Sequence, residues 1–500
     1  MAHQRLILLL AATLLGLPTP AHAELWLPSI FGDHMVLQRD EPVLVWGRAA
    51  PGSRVTVSIA GGPAGQSRTT TTAVAGADGA WRVVLEPLSP GTSRRLTVSD
   101  DRGGQRAFND VAVGEVWVCS GQSNMEWPVA AAMNADLELL SADRPDIRLI
   151  SVPNAGSQTP LDDFPGAWEP CTPAAAAPFS AVGYYFGRRL HEVLGVPIGL
   201  IDNAWGGSAA EAWTPRERLT ADPVFATAAA DWAEQDRAAN AGVQTAKHEA
   251  ALQKWRQRAD RAAEAGRRPP ERPKPRGWLL GNRRPGNLFE ARVSPIAGYG
   301  VRGVIWYQGE SNAARAAEYR TLFPLMIESW RDAWRRPRLP FYWVQLADFR
   351  DESDQPQDTD WARLREAQTL TLDRLSDTGQ AVIIDLGEAN DIHPRNKHEV
   401  ANRLARIALA KQYGYDLPHE SPRLAAFDVT GRKAVVTLSP VGERLRAVDH
   451  RDVRGFTIAG EDRQWRWARA RLLGEGRVEL SHPDIAEPVA VRYAWGDNPV

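Results

Sequence analysis

The 500-residue sequence predicts an α/β protein built on a parallel sheet covered on both faces, with an all-β sandwich-like module at each end. Three observations predict it. Short, almost wholly apolar runs ("VWVCS", "VPIGLID", "VRGVIWYQ", "PFYWVQLA", "AVIIDLG") read as strands buried on both faces. Among them lie segments with apolar residues at helical spacing. Before about residue 110 and after about residue 420, short strands are separated by Gly- and Pro-rich turns instead.

Taken in order, residues 1–23 ("MAHQRLILLLAATLLGLPTPAHA") have a basic start at Arg5 and an apolar stretch from Leu6 to Leu17. They end on the small-residue signal Ala21-His22-Ala23. This pattern predicts a cleaved signal peptide, and hence a secreted or periplasmic protein beginning near Glu24. Residues 24–108 form the N-terminal β domain, with strands expected at "PVLVWGRAAPG", "RVTVSI" and "WRVVLEPL".

Residues 109–420 form the α/β domain. Its first clear helix is "FSAVGYYFGRRLHEVLG", with Ser180 as N-cap, Gly195 as stop, and Val182, Tyr185, Phe186, Leu190 and Val193 on one face. A later helix, "EVANRLARIALAKQYG", carries Val400, Leu404, Ile407 and Ala408 on its apolar stripe. An insert at 225–285 is alanine-rich and charged, read as a helical hairpin or cap, and ends in the basic linker "RRPPERPKPRG". Residues 421–500 form the C-terminal β module, with strands at "KAVVTLS", "LRAVDH", "VRGFTIAG", "RVELSHP" and "PVAVRYAW".

The net charge of −2 gives no global attraction to nucleic acid or acidic membranes, and no segment after the leader is apolar enough to span a bilayer. The two cysteines, Cys119 and Cys171, are too few for a disulfide scaffold, although export permits a bridge. No metal-ligand motif is present, so no metal is expected.

Ligands of open α/β sheets sit beyond the carboxyl ends of the strands. Four such ends carry glycines and polar groups: Gly121-Gln122-Ser123-Asn124, Gly206-Gly207-Ser208, Gln308-Gly309-Glu310-Ser311-Asn312, and Asn390-Asp391 with His393. Each residue alone has an ordinary explanation as a turn or cap residue. Together they supply the parts of acyl transfer: a serine, a histidine to take its proton, a carboxylate to orient the histidine, and N–H donors for an oxyanion. Met125 stands where a lipase-type elbow would have glycine.

The blocks "GQSNMEWPV", "NAWGGSAAEAW", "VIWYQGESNA" and "EANDIHPRNKHEVANRLA" resemble, in order, those of the sialate O-acetylesterase family of SGNH/GDSL hydrolases. "FGDHMVLQRDEPVLVWG", "RGFTIAGEDRQW" and "VAVRYAWGDNP" extend the resemblance into both β modules. It implies a flavodoxin-like SGNH three-layer α/β/α domain and removal of acetyl esters from sugars, without metal or organic cofactor. It implies Ser123 as nucleophile and His393 as base. The oxyanion donors it implies are Ser123, Gly206 or Gly207, and Gln308. Wider SGNH enzymes carry the acid three residues before the histidine, where this chain has Asn390. Asp391 is therefore the first choice of acid and Glu310 its competitor.

The substrate is expected to be an acetylated carbohydrate, sialate 9-O-acetyl esters in the first instance. Acetylxylan or another plant polysaccharide is the alternative. A non-catalytic glycan-binding protein is the competing class, with Trp127, Trp205 and Trp213 able to stack on sugars if they are not core residues. The oligomeric state is left open.

Overall fold

The computed structural model describes residues 24–62, 69–241, 243–264, 277–442, 445–447 and 452–499. The leader expected over residues 1–23, residues 265–276 of the insert and linker, and the end of the "LRAVDH" strand lie outside the described residues. Residues 445–447 of that last run are not in a strand.

The central sheet is made of β1 (Gln105–Gly121), β2 (Arg144–Ser151), β3 (Glu169–Cys171), β4 (Ile198–Ala204), β5 (Gly303–Tyr307), β6 (Phe341–Val344) and β7 (Thr378–Ala381). Its order is β7-β6-β5-β1-β4-β2-β3. Every neighbouring pair is parallel except β2–β3. The chain leaves β1 toward one edge and later returns to build the other, so β1 is the topological switch point where open sheets bind ligands.

Side chains alternate across β1. Val116 and Val118 enter one core, shared with residues of helices α2 (Ala316–Trp334) and α3 (Asp360–Arg374). Trp117 and Cys119 enter the other, shared with α1 (Ala181–Leu194) and α4 (Lys397–Tyr413). Helices thus cover both faces, as the unbroken apolar runs require. Helix α1 starts as expected, with Ser180 Oγ accepting from Gly183 N at 3.1 Å, and stops at Gly195 with φ of 63°. Its stripe is shorter than expected, because Val193 is exposed.

One expectation needs correction. The run "AVIIDLG" is not a strand: β7 ends at Ala381, because its register against β6 is exhausted at Val344↔Ala381. The last helix starts at Lys397 under an Asn396 cap. The short segment around His393 is thereby left as a loop.

The boundary expected at 108–109 falls inside β1. The first half of this 17-residue strand pairs with Gly91–Asp100 of the N-terminal strands, and the second half with β4 and β5. The insert contains helices Ala226–Asn240 and Val243–Glu264. The described strands between Arg423 and Tyr493 form two antiparallel sheets around their own small core, which includes Val436, Phe456, Ile458 and Leu480. Cys119 and Cys171 are both buried and free, and burial pushes both thiols up. Among the described residues no helix is long and apolar enough to cross a membrane.

Candidate active site

β1, β4 and β5 end side by side, and the turns leaving their carboxyl ends form the site. β1 and β5 finish in register at Gly121↔Tyr307, where the chain must turn at once. Gly121 has φ of 138°, and a Cβ there would sit 2.1 Å from Tyr307 O. Only glycine fits both conditions. The turn delivers Ser123 as the first residue of a four-residue helix, half-buried at the sheet's edge. Gln122, behind it, is buried and accepts from Gly309 N at 3.4 Å and Ser311 N at 3.3 Å, tying the first block to the third.

His393 arrives on the loop after β7. Its Nε2 lies 2.9 Å from Ser123 Oγ. Asp391 Oδ1 lies 3.5 Å from His393 Nδ1 and accepts the His393 backbone N–H at 2.9 Å. The first distance is that of an ion-pair contact, longer than a typical hydrogen bond. The second is an Asx-type turn that fixes the loop. The Trp127 ring stacks on the imidazole at 5.0 Å and 17°. Burial lowers the pKa of His393; Asp391 pulls it back up and Lys397 pushes it further down. The net shift is downward, so at neutral pH the imidazole is unprotonated and can accept a proton.

Of the two candidate acids, the geometry favours Asp391. Glu310 instead accepts from Asn124 Nδ2 at 2.5 Å. Its other oxygen is buried without a hydrogen-bond partner among the described residues. Burial pushes its pKa up, against the bond from Asn124 and the charge of Lys397.

The expected oxyanion donors divide. The Ser123 and Gly207 N–H groups have no protein acceptor among the described residues. Gly206 packs against Ser123: a Cβ there would lie 3.4 Å from Ser123 Cβ. Its N–H donates to Glu126 Oε2 at 2.6 Å. Gln308 is fully buried, and both its amide protons are committed, to Ser208 O at 3.2 Å and Asn312 Oδ1 at 2.7 Å. It braces the Gly206–Ser208 turn from behind and offers no open donor in this geometry. Of the three tryptophans, Trp213 is fully buried, which removes it as a sugar platform.

Three neighbours of the site were not singled out for these roles from sequence: Asn124, Glu126 and Lys397. Asn124 stands beside the serine in "GQSNM", so adjacency was its signal. Lys397 is a cation in the first turn of a helix, where the backbone dipole disfavours it, and that misfit was the available signal.

A strand-end serine and imidazole in contact, a carboxylate behind them and unpaired N–H groups beside them are the equipment of ester hydrolysis. The comparisons agree. A model of the family "carbohydrate esterase, sialic acid-specific acetylesterase" matches residues 277–410. A carbohydrate acetylesterase of known structure from Xanthomonas citri is 36% identical, with a TM-score of 0.78 over 95% of each chain. These similarities define the class, a carbohydrate acetylesterase. The sialate O-acetylesterases of Mus musculus and Homo sapiens are each 29% identical over 93% of this chain, and over 88% and 87% of their own lengths. The chain belongs to the sialate O-acetylesterase family.

Proposed function

We propose that this enzyme removes O-acetyl groups from sialic acids by a Ser-His-Asp mechanism. The observation that carries the mechanism is the 2.9 Å contact between His393 Nε2 and Ser123 Oγ, with Asp391 on the other side of the ring. Ser123 Oγ attacks the acetyl carbonyl while His393 Nε2 takes its proton. The N–H groups of Ser123 and Gly207 receive the oxyanion. Gly206 N–H joins them when Glu126 turns aside, and Gln308 keeps the turn rigid. The tetrahedral intermediate collapses, the C–O bond to the sugar breaks, and His393 returns the proton to the departing hydroxyl. Water, deprotonated by the same imidazole, then splits the acetyl-Ser123 ester to acetate and free enzyme.

The sialate assignment rests on the relatives' names and the family match. We read the central sheet as the flavodoxin-like core of an SGNH hydrolase at 109–420, with β modules at 24–108 and 421–500 and a leader at 1–23 that directs export. Ser123→Ala is expected to fold normally and lose at least about 10³-fold of acetate release from O-acetylated sialic acid. Retained turnover in that variant sinks the serine assignment. Faster acetate release from acetylated xylo-oligosaccharides than from O-acetylated sialic acids moves the enzyme to plant polysaccharides.

A further inference from the structure

Asn124 sits directly after the nucleophile and is 1% exposed. Its carboxamide is used on every side. Nδ2 donates to Glu310 Oε1 at 2.5 Å and to the backbone carbonyl of Ile392 at 3.0 Å. Oδ1 accepts from Lys397 Nζ. Ile392 is the residue before His393. One side chain on the serine's own helix thus holds the loop that carries the base.

We propose that Lys397, Asn124 and Glu310 form a positioning clamp that sets the Ser123–His393 contact, with Lys397 and Glu310 acting through Asn124. The reasoning is chemical. An amide turned by 180° has nearly the same shape but exchanges donor for acceptor. If Asn124 were turned, an oxygen would face two acceptors, Glu310 Oε1 and Ile392 O, and the Ile392 bond would be lost. While both are charged, the Glu310 carboxylate can only accept and the Lys397 ammonium can only donate. Lys397 on the oxygen and Glu310 on the nitrogen therefore admit one orientation, the one that grips Ile392.

The siting of Lys397 fits this role better than one in helix stability. It is fully buried, at the first position of α4, where the helix dipole opposes a cation. Its Nζ lies over the faces of Tyr307 at 5.4 Å and Trp127 at 5.8 Å, and Trp127 is the ring stacked on His393. Burial pushes its pKa down to about 7, with Glu310, Asp391 and Glu388 pulling it back up. Burying two ionisable groups is costly, and retaining them for orientation is the best-attested compensation.

The clamp rests on the Ser-His reading of the site, so the test includes Ser123→Ala. In the full-length enzyme, Lys397→Met, Asn124→Ala and the double variant are assayed with p-nitrophenyl acetate alongside thermal unfolding. Each single change is expected to lower kcat at least about tenfold with KM within about twofold, since ground-state binding is untouched. The double variant should be no slower than Asn124→Ala, because Lys397 acts through the amide. A kcat for folded Lys397→Met within about threefold of the parent overturns the clamp, and so do effects that multiply in the double variant. If Lys397→Met does not fold, Asn124→Ala alone decides by the same threefold limit. An active Ser123→Ala overturns the Ser-His reading itself. An inactive one beside an unimpaired Lys397→Met overturns only the clamp.

Discussion

At the scale of single residues, the proposed Ser-His-Asp mechanism makes the state of His393 decide the pH dependence. Burial is the largest influence and lowers its pKa; Asp391 raises it and Lys397 lowers it, for a net downward shift. The base form is therefore present to a lower pH than for a free histidine, whose pKa is about 6.5. The acidic limb of kcat/KM is expected below that value. Asp391→Asn removes the carboxylate that raises the imidazole pKa. The limb should then move further toward acid while kcat falls about 10²-fold, because the tautomer is no longer fixed. A pH–rate profile checks both. A limb that moves toward alkaline pH, or a Glu310→Gln change more damaging than Asp391→Asn, removes Asp391 from its role.

At the scale of elements, the site is a meeting of strand ends, and its legibility comes from that. β1, β4 and β5 could be read in sequence because burial on both faces demands an unbroken apolar run. The polar residues directly after them, Ser123, Gly206 and Gln308, could be read with them. β2 was missed because three of the eight residues of "RPDIRLIS" are charged; the buried one, Arg148, is accommodated by Asp110, whose Oδ2 meets its Nη1 at 2.6 Å. α2 was missed with Pro324 inside it. The clamp was illegible because Lys397 and Asn124 are 273 residues apart, and spacing along a chain carries no information about such a contact. Gly121 is where element geometry bears most directly on activity. In Gly121→Ala the new methyl would meet Tyr307 O, at a φ that alanine resists. Esterase activity should drop and stability fall by more than about 1 kcal/mol. Urea unfolding monitored by tryptophan fluorescence measures the loss. An unchanged midpoint would mean that β1 and β5 can part without cost.

At the scale of the whole molecule, β1 makes the N-terminal strands and the central sheet share one backbone, and a buried charge cluster secures the junction. The Glu115 side chain is 0% exposed. It accepts from Arg39 Nε at 2.5 Å, Gln38 Nε2 at 3.1 Å, Arg302 Nε at 2.8 Å and Arg302 Nη2 at 3.2 Å. Gln38 and Arg39 lie at the end of the strand Val36–Gln38, which pairs with β1, and Arg302 immediately precedes β5. Glu115→Ala would take the main acceptor from two half-buried guanidinium groups, leaving Arg302 to Glu41 and Arg39 to Asp40, at a cost of about 1–3 kcal/mol. Burial opposes the Glu115 charge, but the hydrogen bonds and charge of Arg302, with the bonds from Arg39 and Gln38, outweigh it and hold the carboxyl below the usual carboxylate range. A folded-state pKa below the unfolded one means the stabilisation is complete above about pH 4.3 and is lost as pH falls through the folded value. Glu115→Gln keeps the shape and removes the charge, so it should unfold at lower urea than the parent at pH 7. That difference should shrink toward pH 3, where the parent carboxylate is itself becoming protonated. A gap between the two urea midpoints that is equally wide at both pH values would show that the Glu115 charge does not hold the junction.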